Sequence, residues 1–345
     1  MRDSLAGLNL KELEELLTPL PRFRASQIYK WILKGARTFE EMKNIPALLK
    51  DDLNTRFNVY STSIEGCLED TDAKKIALSL NDGAKIEAVL LSDDKKRFTA
   101  CLSTQAGCPA GCVFCKTGSL GFKRNLESNE VIEQFLHLQN ITVTQKKEHI
   151  IDNIVIMGMG EPLLNLENLR KAIAFLTDPK GLNFSRRRIT VSTCGISDKL
   201  FDLAKNGPYV RLALSLTTAD ETLRCALMPI TKANPLVRIK EALLLFQKNS
   251  ASRITLEIPL LGSINTREAD AASVANFAKG LDAVINIIPW NPAPTLTFNG
   301  KELCEPTKKE IENFKSILES FNLNVTMRLH KGQKIMGACG QLGSL

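Results

Sequence analysis

The sequence predicts an α/β protein built around an incomplete β/α barrel. From about residue 97 onward, strand-like apolar runs alternate with amphipathic helices, the pattern of a parallel sheet with right-handed crossovers. Six such units fall short of the eight that close a full barrel. Glycine-rich and polar clusters follow the strands, at the carboxyl edge where such sheets bind ligands. The sequence therefore predicts an enzyme with its site at that edge.

Composition sets the class of protein. The 345 residues are 44% hydrophobic and 24% charged, which predicts a globular chain with one large and one small domain. The nine cysteines follow no signal peptide, and no apolar run approaches the roughly 20 residues of a membrane helix. We expect a cytoplasmic protein with reduced thiols, acting as a monomer and not at a membrane. The net charge of +7 weakly favours a polyanionic partner.

Residues 1–60 are predicted to form a small helical domain. Apolar spacing indicates helices over Leu10–Leu17, Ser26–Leu33, Thr38–Met42 and Pro46–Phe57. Basic residues cluster around the second helix: Arg22, Arg24, Lys30, Lys34 and Arg37. They form either a solvated helix face or a surface that contacts phosphates.

Residues 61–100 are predicted to form a β-hairpin extension and linker. Two alternating runs, Lys75–Leu80 and Ala84–Leu91, flank the turn Asn81-Asp82-Gly83, a strong hairpin signal. Glu87 lies in the second run on the face opposite Ile86. Alternation by itself indicates a solvent-facing carboxylate.

Residues 101–345 complete the predicted barrel domain. Its six predicted strands are Arg97–Ser103, Asn153–Gly158, Arg188–Ser192, Arg211–Ser215, Ile254–Ile258 and Ala283–Ile288. A further strand at Val325–Arg328 leads into a loop of small residues around Cys339. A core cysteine would be oddly placed on such a loop. Cys101 lies on the first barrel strand, and Cys67, Cys194, Cys225 and Cys304 are expected to be structural.

Cys108, Cys112 and Cys115 form a C-x3-C-x2-C triplet on a glycine-rich loop. Three thiolates can hold a [4Fe–4S] cluster and leave one iron open to a non-protein ligand. The alternatives are a zinc site with a distant fourth ligand, or free buried cysteines. Zinc sites usually close with C-x2-C pairs, and a glycine-rich loop is poor core material. The spacing thus favours a cluster.

Polar residues at the later strand ends suit a small-molecule site. Gly160 and Glu161 belong to Gly158-Met-Gly-Glu-Pro162, where glycines allow close approach of a ligand and the carboxylate can bind an ammonium group. Ser192, Ser215 and Asn291 end three further strands. Each of them taken singly is an ordinary strand-end residue.

The cysteine triplet resembles the signature of the radical S-adenosylmethionine (SAM) superfamily. Nearly the whole chain is similar to the RlmN/Cfr family of radical SAM RNA adenosine methyltransferases, and more to RlmN. The motifs that carry this resemblance include Pro21-Arg-Phe-Arg-Ala-Ser-Gln-Ile28, Gly121-Phe-Lys-Arg-Asn-Leu126, Met157-Gly-Met-Gly-Glu-Pro162, Ile288-Pro-Trp-Asn-Pro292 and Ala338-Cys-Gly-Gln-Leu342.

The resemblance implies a partial (β/α)6 radical SAM barrel with one [4Fe–4S] cluster and two SAM molecules per turnover. It implies methylation of carbon 2 of an adenosine in 23S rRNA, and of one beside the tRNA anticodon. An electron donor such as flavodoxin or ferredoxin is also implied. Two alternatives stay open: methylation of carbon 8, as in Cfr, and a non-catalytic iron–sulfur RNA-binding protein.

The same resemblance implies the site residues. Cys339 would carry the methyl group, Cys101 would resolve an RNA adduct by a transient disulfide with Cys339, and Glu87 would accept the ring proton. Cys108, Cys112 and Cys115 would bind the cluster. The implied SAM contacts are Gly160, Glu161, Ser192, Ser215, Leu216, Thr217 and Asn291. The family commonly has histidine where this chain has Thr217, which leaves the role of that position open.

Overall fold

A ten-stranded mixed sheet runs through the described part of the protein. The computed structural model describes residues 3–145, 151–328 and 331–343. Seven neighbouring strands of the sheet are parallel, and three antiparallel strands extend one edge. Helices and the N-terminal unit pack against this sheet and share one continuous apolar core with it.

The N-terminal unit is helical, as predicted, with a small parallel strand pair. Its elements are β1 (Asp3–Ser4), α1 (Leu10–Leu16), α2 (Arg22–Leu33), α3 (Ala47–Arg56) and β2 (Phe57–Asn58). The helix predicted over 38–42 is wrong, because turns occupy residues 38–45. Phe39 and Met42 nevertheless reach the core.

A buried carboxylate fastens this unit to the barrel. Glu133 is fully buried on the first long barrel helix and accepts hydrogen bonds from the backbone N–H groups of Ser61 and Thr62 at 2.9 and 2.8 Å. The hydroxyl of Ser4 donates to the same carboxylate at 2.7 Å. Because a buried carboxylate is costly without such donors, these bonds fix where the N-terminal unit sits.

The hairpin extension consists of three strands. They are β3 (Ser63–Glu69), β4 (Ala73–Ser79) and β5 (Lys85–Ser92), all antiparallel. The predicted hairpin is β4–β5, whereas β3 was not predicted because most of its residues are exposed and its apolar alternation is weak. β5 pairs with the first barrel strand, so the hairpin continues the barrel sheet.

The six predicted barrel strands are all present, and a seventh joins them. They are β6 (Phe98–Cys101), β9 (Asn153–Ile156), β10 (Ile189–Thr193), β11 (Arg211–Ser215), β12 (Ile254–Leu260), β13 (Ala283–Pro289) and β16 (Asn324–Met327). The intervening short strands are β7 (Gln105–Gly107), β8 (Phe122–Asn125), β14 (Thr297–Phe298) and β15 (Lys301–Glu302). β16 pairs in parallel with β13 and so brings the C-terminal tail to the open edge of the barrel.

Eight helices follow or separate the strands of the described part of the chain after β6. They are α4 (Lys116–Ser119), α5 (Ser128–Gln145), α6 (Leu166–Thr177), α7 (Ser197–Asn206), α8 (Glu221–Leu227), α9 (Leu236–Ser250), α10 (Glu268–Ala278) and α11 (Lys308–Ser320). Within the described residues 3–145, 151–328 and 331–343, no helix is both long enough and apolar enough to cross a bilayer.

Candidate active site

A cavity opens at the carboxyl ends of the parallel strands. Its empty volume is about 990 Å³ with the open mouth included. Its lining includes Cys108, Cys112, Cys115, Gly160, Glu161, Ser192, Ser215, Asn291 and Cys339. The structure thus brings the cysteine triplet, most of the predicted SAM contacts and the tail thiol to one place.

Main-chain hydrogen bonds hold the cysteine loop. The N–H of Cys108 donates to the carbonyl of Gly121 at 2.9 Å, and the N–H of Val113 donates to that of Leu227 at 3.0 Å. The indole of Trp290 donates to the carbonyl of Phe114 at 2.9 Å. A short loop would otherwise leave these groups unsatisfied. The loop is therefore fixed before any ligand binds.

The three thiols share an environment that disfavours uncompensated charge. Burial raises the pKa of Cys108 to about 12. Burial and then the neighbouring Cys115 and Cys108 raise the pKa of Cys112, while Arg224 opposes the rise. Thiolates gathered here need a cation, which a metal cluster provides.

Arg224 is a buried cation beside this loop. It is 1% exposed. It donates to the carbonyls of Cys194 and Leu216 at 2.6 and 2.7 Å. Because those carbonyls follow β10 and β11, the guanidinium clamps two strand ends at the cavity wall.

The donor set fits a cluster better than a single zinc ion. Within the described ranges, no three Cys, His, Asp or Glu side chains are grouped closely enough to hold one metal ion. Zinc–sulfur bonds of about 2.3 Å in a tetrahedral site would keep the sulfurs about 3.8 Å apart. Three thiols spread around one cavity suit a larger iron–sulfur group.

The glycine-rich loop after β9 fits because it lacks side chains. A Cβ on Gly158 would lie 2.5 Å from the Ser103 hydroxyl oxygen. A Cβ on Gly160 would lie 2.6 Å from that of Gln105, and Gly160 has a φ of +107°. Both positions require glycine, so the loop can pass between the cysteine strand and the cavity.

Glu161 lies in the cavity wall with its carboxylate already hydrogen-bonded. It accepts from the N–H of Leu163 at 3.0 Å, the hydroxyl of Thr193 at 2.7 Å and the N–H of Cys194 at 2.8 Å. Burial raises the pKa of Glu161, and these donors oppose the rise. The thiol of Cys194 is a further hydrogen-bond partner of this carboxylate, so its roughly four acceptor positions are already engaged.

The other predicted SAM contacts divide into two groups. Ser192 and Ser215 line the cavity, and their hydroxyl oxygens are 3.1 Å apart. Leu216 and Thr217 are buried behind the strand end and do not line it. Thr217 has a φ of +64°, unusual for a β-branched residue, and its buried hydroxyl has no hydrogen-bond partner within the described residues.

The C-terminal tail closes one side of the cavity. The carbonyl of Cys339 accepts from the side-chain amide of Asn291 at 3.1 Å, and that of Gly340 accepts from the N–H of Lys116 at 2.7 Å. The Thr117 hydroxyl donates to the carbonyl of Leu342 at 2.8 Å. The tail is thus hydrogen-bonded to the helix that follows the cysteine loop.

Cys101 and Cys339 face a second, smaller cavity beside the first. Both line it, and Cys339 lines the larger cavity as well. Burial raises the pKa of the Cys101 thiol to about 12, with Cys339 adding to the rise. All nine cysteines are free, so the expected disulfide between these two is not formed in this structure.

Glu87 is buried, contrary to the alternation pattern. It is 2% exposed, because both faces of β5 are covered. Its carboxylate accepts from the N–H of Gly343 at 2.8 Å and is 3.4 Å from the Lys75 ammonium. The predicted proton acceptor and the tail are therefore in direct contact.

Sequence reasoning missed three ionisable residues of the cavity wall. Glu257 and Arg328 line it, and Cys194, expected to be structural, does so too. Burial raises the pKa of Glu257, and the Cys339 thiolate raises that of Arg328. A carboxylate inside the apolar run of β12 was a signal for Glu257, whereas nothing local distinguishes Arg328.

Comparisons with known proteins cover nearly the whole chain. Residues 102–273 match the radical SAM superfamily, and residues 4–59 match the ribosomal RNA large subunit methyltransferase N-terminal domain. The chain is 47% identical to a Treponema denticola protein named "Probable dual-specificity RNA methyltransferase RlmN", over 99% of this chain and 96% of that one. A Dictyoglomus turgidum protein of the same name is 38% identical, over 94% and 91%. The crystal structure of a radical SAM methyltransferase from Sphaerobacter thermophilus is 33% identical, covers 99% of both chains and gives a TM-score of 0.93.

Proposed function

Because this chain belongs to the RlmN family of radical SAM RNA methyltransferases, we propose that it methylates carbon 2 of an adenosine in 23S rRNA. The relatives named as dual-specificity enzymes support a second substrate, an adenosine beside the tRNA anticodon. One observation carries the proposal. The tail thiol of Cys339 lines the same cavity as Cys108, Cys112 and Cys115, although it lies at the far end of the sequence.

The family uses a [4Fe–4S] cluster and SAM. Cys108, Cys112 and Cys115 would hold the cluster, and Gly160, Glu161, Ser192, Ser215 and Asn291 would contact SAM at the open iron. When bound, this pair supplies the one-electron chemistry that removes a hydrogen atom from a methyl group. Thr217 stands where the family commonly has histidine, and it lies behind the strand end without lining the cavity.

Cys339 would take a methyl group before the RNA is modified. Carbon 2 of adenine is electrophilic, so it cannot attack the methyl group of SAM directly. A thiolate can, because sulfur is a strong nucleophile, and the sulfonium sulfur of SAM leaves as a neutral thioether when its bond to the methyl carbon breaks. The half-buried Arg328 lines the same cavity as Cys339. The methyl carbon then stays on the tail until it joins the adenine.

Glu87 and Cys101 would complete the reaction. Glu87 would accept the proton from carbon 2 of the adduct as a general base. The Cys101 thiolate would attack the sulfur of Cys339, and the sulfur–carbon bond would break with its electron pair left on the methylene carbon. That carbon would take a proton to become the methyl group of the released RNA, leaving a transient disulfide between the two cysteines. The cavity that these two cysteines share supports this step.

The RNA partner would meet exposed basic surfaces. Arg22, Lys30, Lys34 and Arg37 on the N-terminal unit are exposed, as are Lys95, Lys96, Arg97 and Arg186, Arg187, Arg188. Such residues neutralise phosphates without reading sequence. We further propose a cytoplasmic monomer that receives electrons from a flavodoxin or ferredoxin.

Anaerobic turnover with methyl-labelled SAM tests the proposal. With 23S rRNA and tRNA fragments as substrates, we expect the label in 2-methyladenosine after nucleoside digestion and mass spectrometry. Label in 8-methyladenosine would assign the chain to Cfr-type chemistry. An iron–sulfur protein that binds RNA but transfers no label would overturn catalysis altogether.

A further inference from the structure

Lys75 is a fully buried lysine in β4. It has 0% exposure, whereas lysines are almost never fully buried unless they are paired. Its ammonium nitrogen lies 3.4 Å from a carboxylate oxygen of Glu87 and 3.2 Å from the carbonyl oxygen of Met336. Removing a charge from water carries a cost that a buried pair does not always recover. The position therefore calls for an explanation beyond stability.

The two partners belong to two different parts of the site. In the β4–β5 register Lys75 is opposite Val89 and Ala77 is opposite Glu87, so Lys75 and Glu87 are diagonal neighbours on one face. Met336 belongs to the tail, three residues before Cys339. The ammonium therefore connects the hairpin that carries the proton acceptor to the segment that carries the methyl group.

The peptide of Glu87 is fixed from the other side. Its N–H contacts the sulfur of Met159 at 3.3 Å, and its carbonyl accepts from the Ser103 hydroxyl at 2.6 Å. That hydroxyl also accepts from the N–H of Met159 at 2.8 Å. The backbone of Glu87 is thus tied to the glycine-rich loop. Lys75 is a charged group in contact with the carboxylate of Glu87.

We propose that Lys75 is a positioning residue for the deprotonation step, holding the Glu87 carboxylate in register with the loop of Cys339. This inference rests on the proposed function. In that step the hydrogen–carbon bond at carbon 2 of the adduct breaks, the proton goes to Glu87, and the electron pair stays in the adduct. Lys75 keeps its proton and touches no substrate. It stabilises the carboxylate and fixes its distance from the tail.

The test compares Lys75→Gln with Lys74→Gln on RNA deuterated at carbon 2 of the target adenine. Lys74 is the matched control, because it is adjacent on the strand and pairs with Glu69 at 2.8 Å on the other face. We expect Lys75→Gln to lower kcat by about 10–100-fold with little change in KM for RNA, as for a weakened general base. Its slow step should show a primary deuterium isotope effect. Lys74→Gln should behave as the unsubstituted protein.

Methylation of Cys339 serves as the folding check. It requires SAM and a correctly placed tail but neither RNA nor Glu87, so mass spectrometry of the protein should find S-methyl-Cys339 in every folded variant. Lys75→Arg keeps the charge and should recover part of kcat with a smaller isotope effect. If Lys75→Gln lacks S-methyl-Cys339, that variant is not correctly folded, and Lys75→Arg becomes the test. Its guanidinium keeps the positive charge but displaces it, so RNA methylation by Lys75→Arg should still show the deuterium isotope effect.

Three results overturn the inference. Turnover of Lys75→Gln equal to that of the unsubstituted protein would show that the ammonium is dispensable. Slow turnover with no isotope effect in a folded Lys75 variant would leave only a structural role. Absence of methylated adenosine with the unsubstituted protein would overturn the proposed function, and this inference with it.

Discussion

The cysteine loop and the C-terminal tail bring sulfur to the same cavity by opposite means. The loop places Cys108, Cys112 and Cys115 within eight residues, and main-chain bonds to Gly121 and Leu227 fix it. The tail reaches the cavity through β16 and is hydrogen-bonded to the helix that follows the loop and to Glu87. A local motif can thus define a metal site, whereas a thiol that must react and be released is carried on a separate segment.

The largest expected effect comes from removing one thiol from the cysteine loop and, separately, the thiol of the C-terminal tail, because this distinguishes the roles of the two segments. We expect Cys339→Ala to abolish RNA methylation while the visible absorption of the cluster stays intact, because Cys339 is not a ligand. Cys112→Ala should lose both. Absorption spectra and transfer of labelled methyl after anaerobic purification measure this. Cys304→Ala, at an exposed cysteine, is the control, and lost absorption in Cys339→Ala would make the tail thiol a ligand.

The next largest effect concerns the resolving thiol. Cys101→Ala should stop after one round and leave protein covalently joined to RNA, because no second thiol attacks the sulfur of Cys339. A denaturing gel with labelled RNA detects the adduct. The double variant Cys101→Ala/Cys339→Ala should form none. Free, unmodified RNA from the single variant would argue against this role.

The sequence predicted the loop side of this contrast better than the tail side. The C-x3-C-x2-C spacing is local, so the shared cavity of its three thiols followed from the pattern. The barrel strands and the hairpin also followed from periodicity, and the radical SAM fold is confirmed by the match to a solved structure. Whether each predicted residue plays its assigned role awaits the variants above.

What escaped prediction depends on contacts between distant segments. The burial of Glu87 arises because the tail covers β5, and no alternation pattern contains that information. Arg328 and Lys75 gain their surroundings in the same way. The helix predicted at 38–42 is wrong for a different reason. Its apolar spacing comes from Phe39 and Met42, whose side chains reach the core from turns rather than from a helix.

The glycine-rich loop beside the cysteine strand should tolerate no side chain. Gly160→Ala combines a positive φ with a contact at 2.6 Å, so we expect a loss of about 2–4 kcal/mol in the free energy of unfolding. Urea denaturation measures it. Gly66→Ala is the matched control, because its Cβ would meet nothing within 4 Å. Equal losses in both variants would show that the loop is less constrained than its contacts indicate.

The smallest expected effect concerns an exposed ion pair between Asp82 in the hairpin turn and Arg124 in β8, the strand after the cysteine loop. A hydrogen bond from Arg124 lowers the pKa of Asp82 from 3.8 to about 2. The pair should therefore stabilise the fold above about pH 4 and lose that contribution as the pH falls toward 2. Being largely exposed, it should contribute below about 1 kcal/mol.

The free energies of unfolding of Asp82→Asn and of the exposed control Asp94→Asn should be compared at pH 7, near pH 4 and near pH 2, the last two being close to the ordinary and the lowered pKa of Asp82. Asp82→Asn should be the less stable variant at pH 7, and the difference should shrink in acid. A difference that grows in acid would exclude the ion pair as its source.

The tail is attached mainly through its main chain. The groups held are the carbonyls of Cys339, Gly340 and Leu342 and the N–H of Gly343, and these exist whatever the side chains are. Chain length between attachment points then matters more than residue identity. A single inserted or deleted residue in this segment would shift the sulfur by one peptide unit, a greater disturbance than most substitutions there could cause.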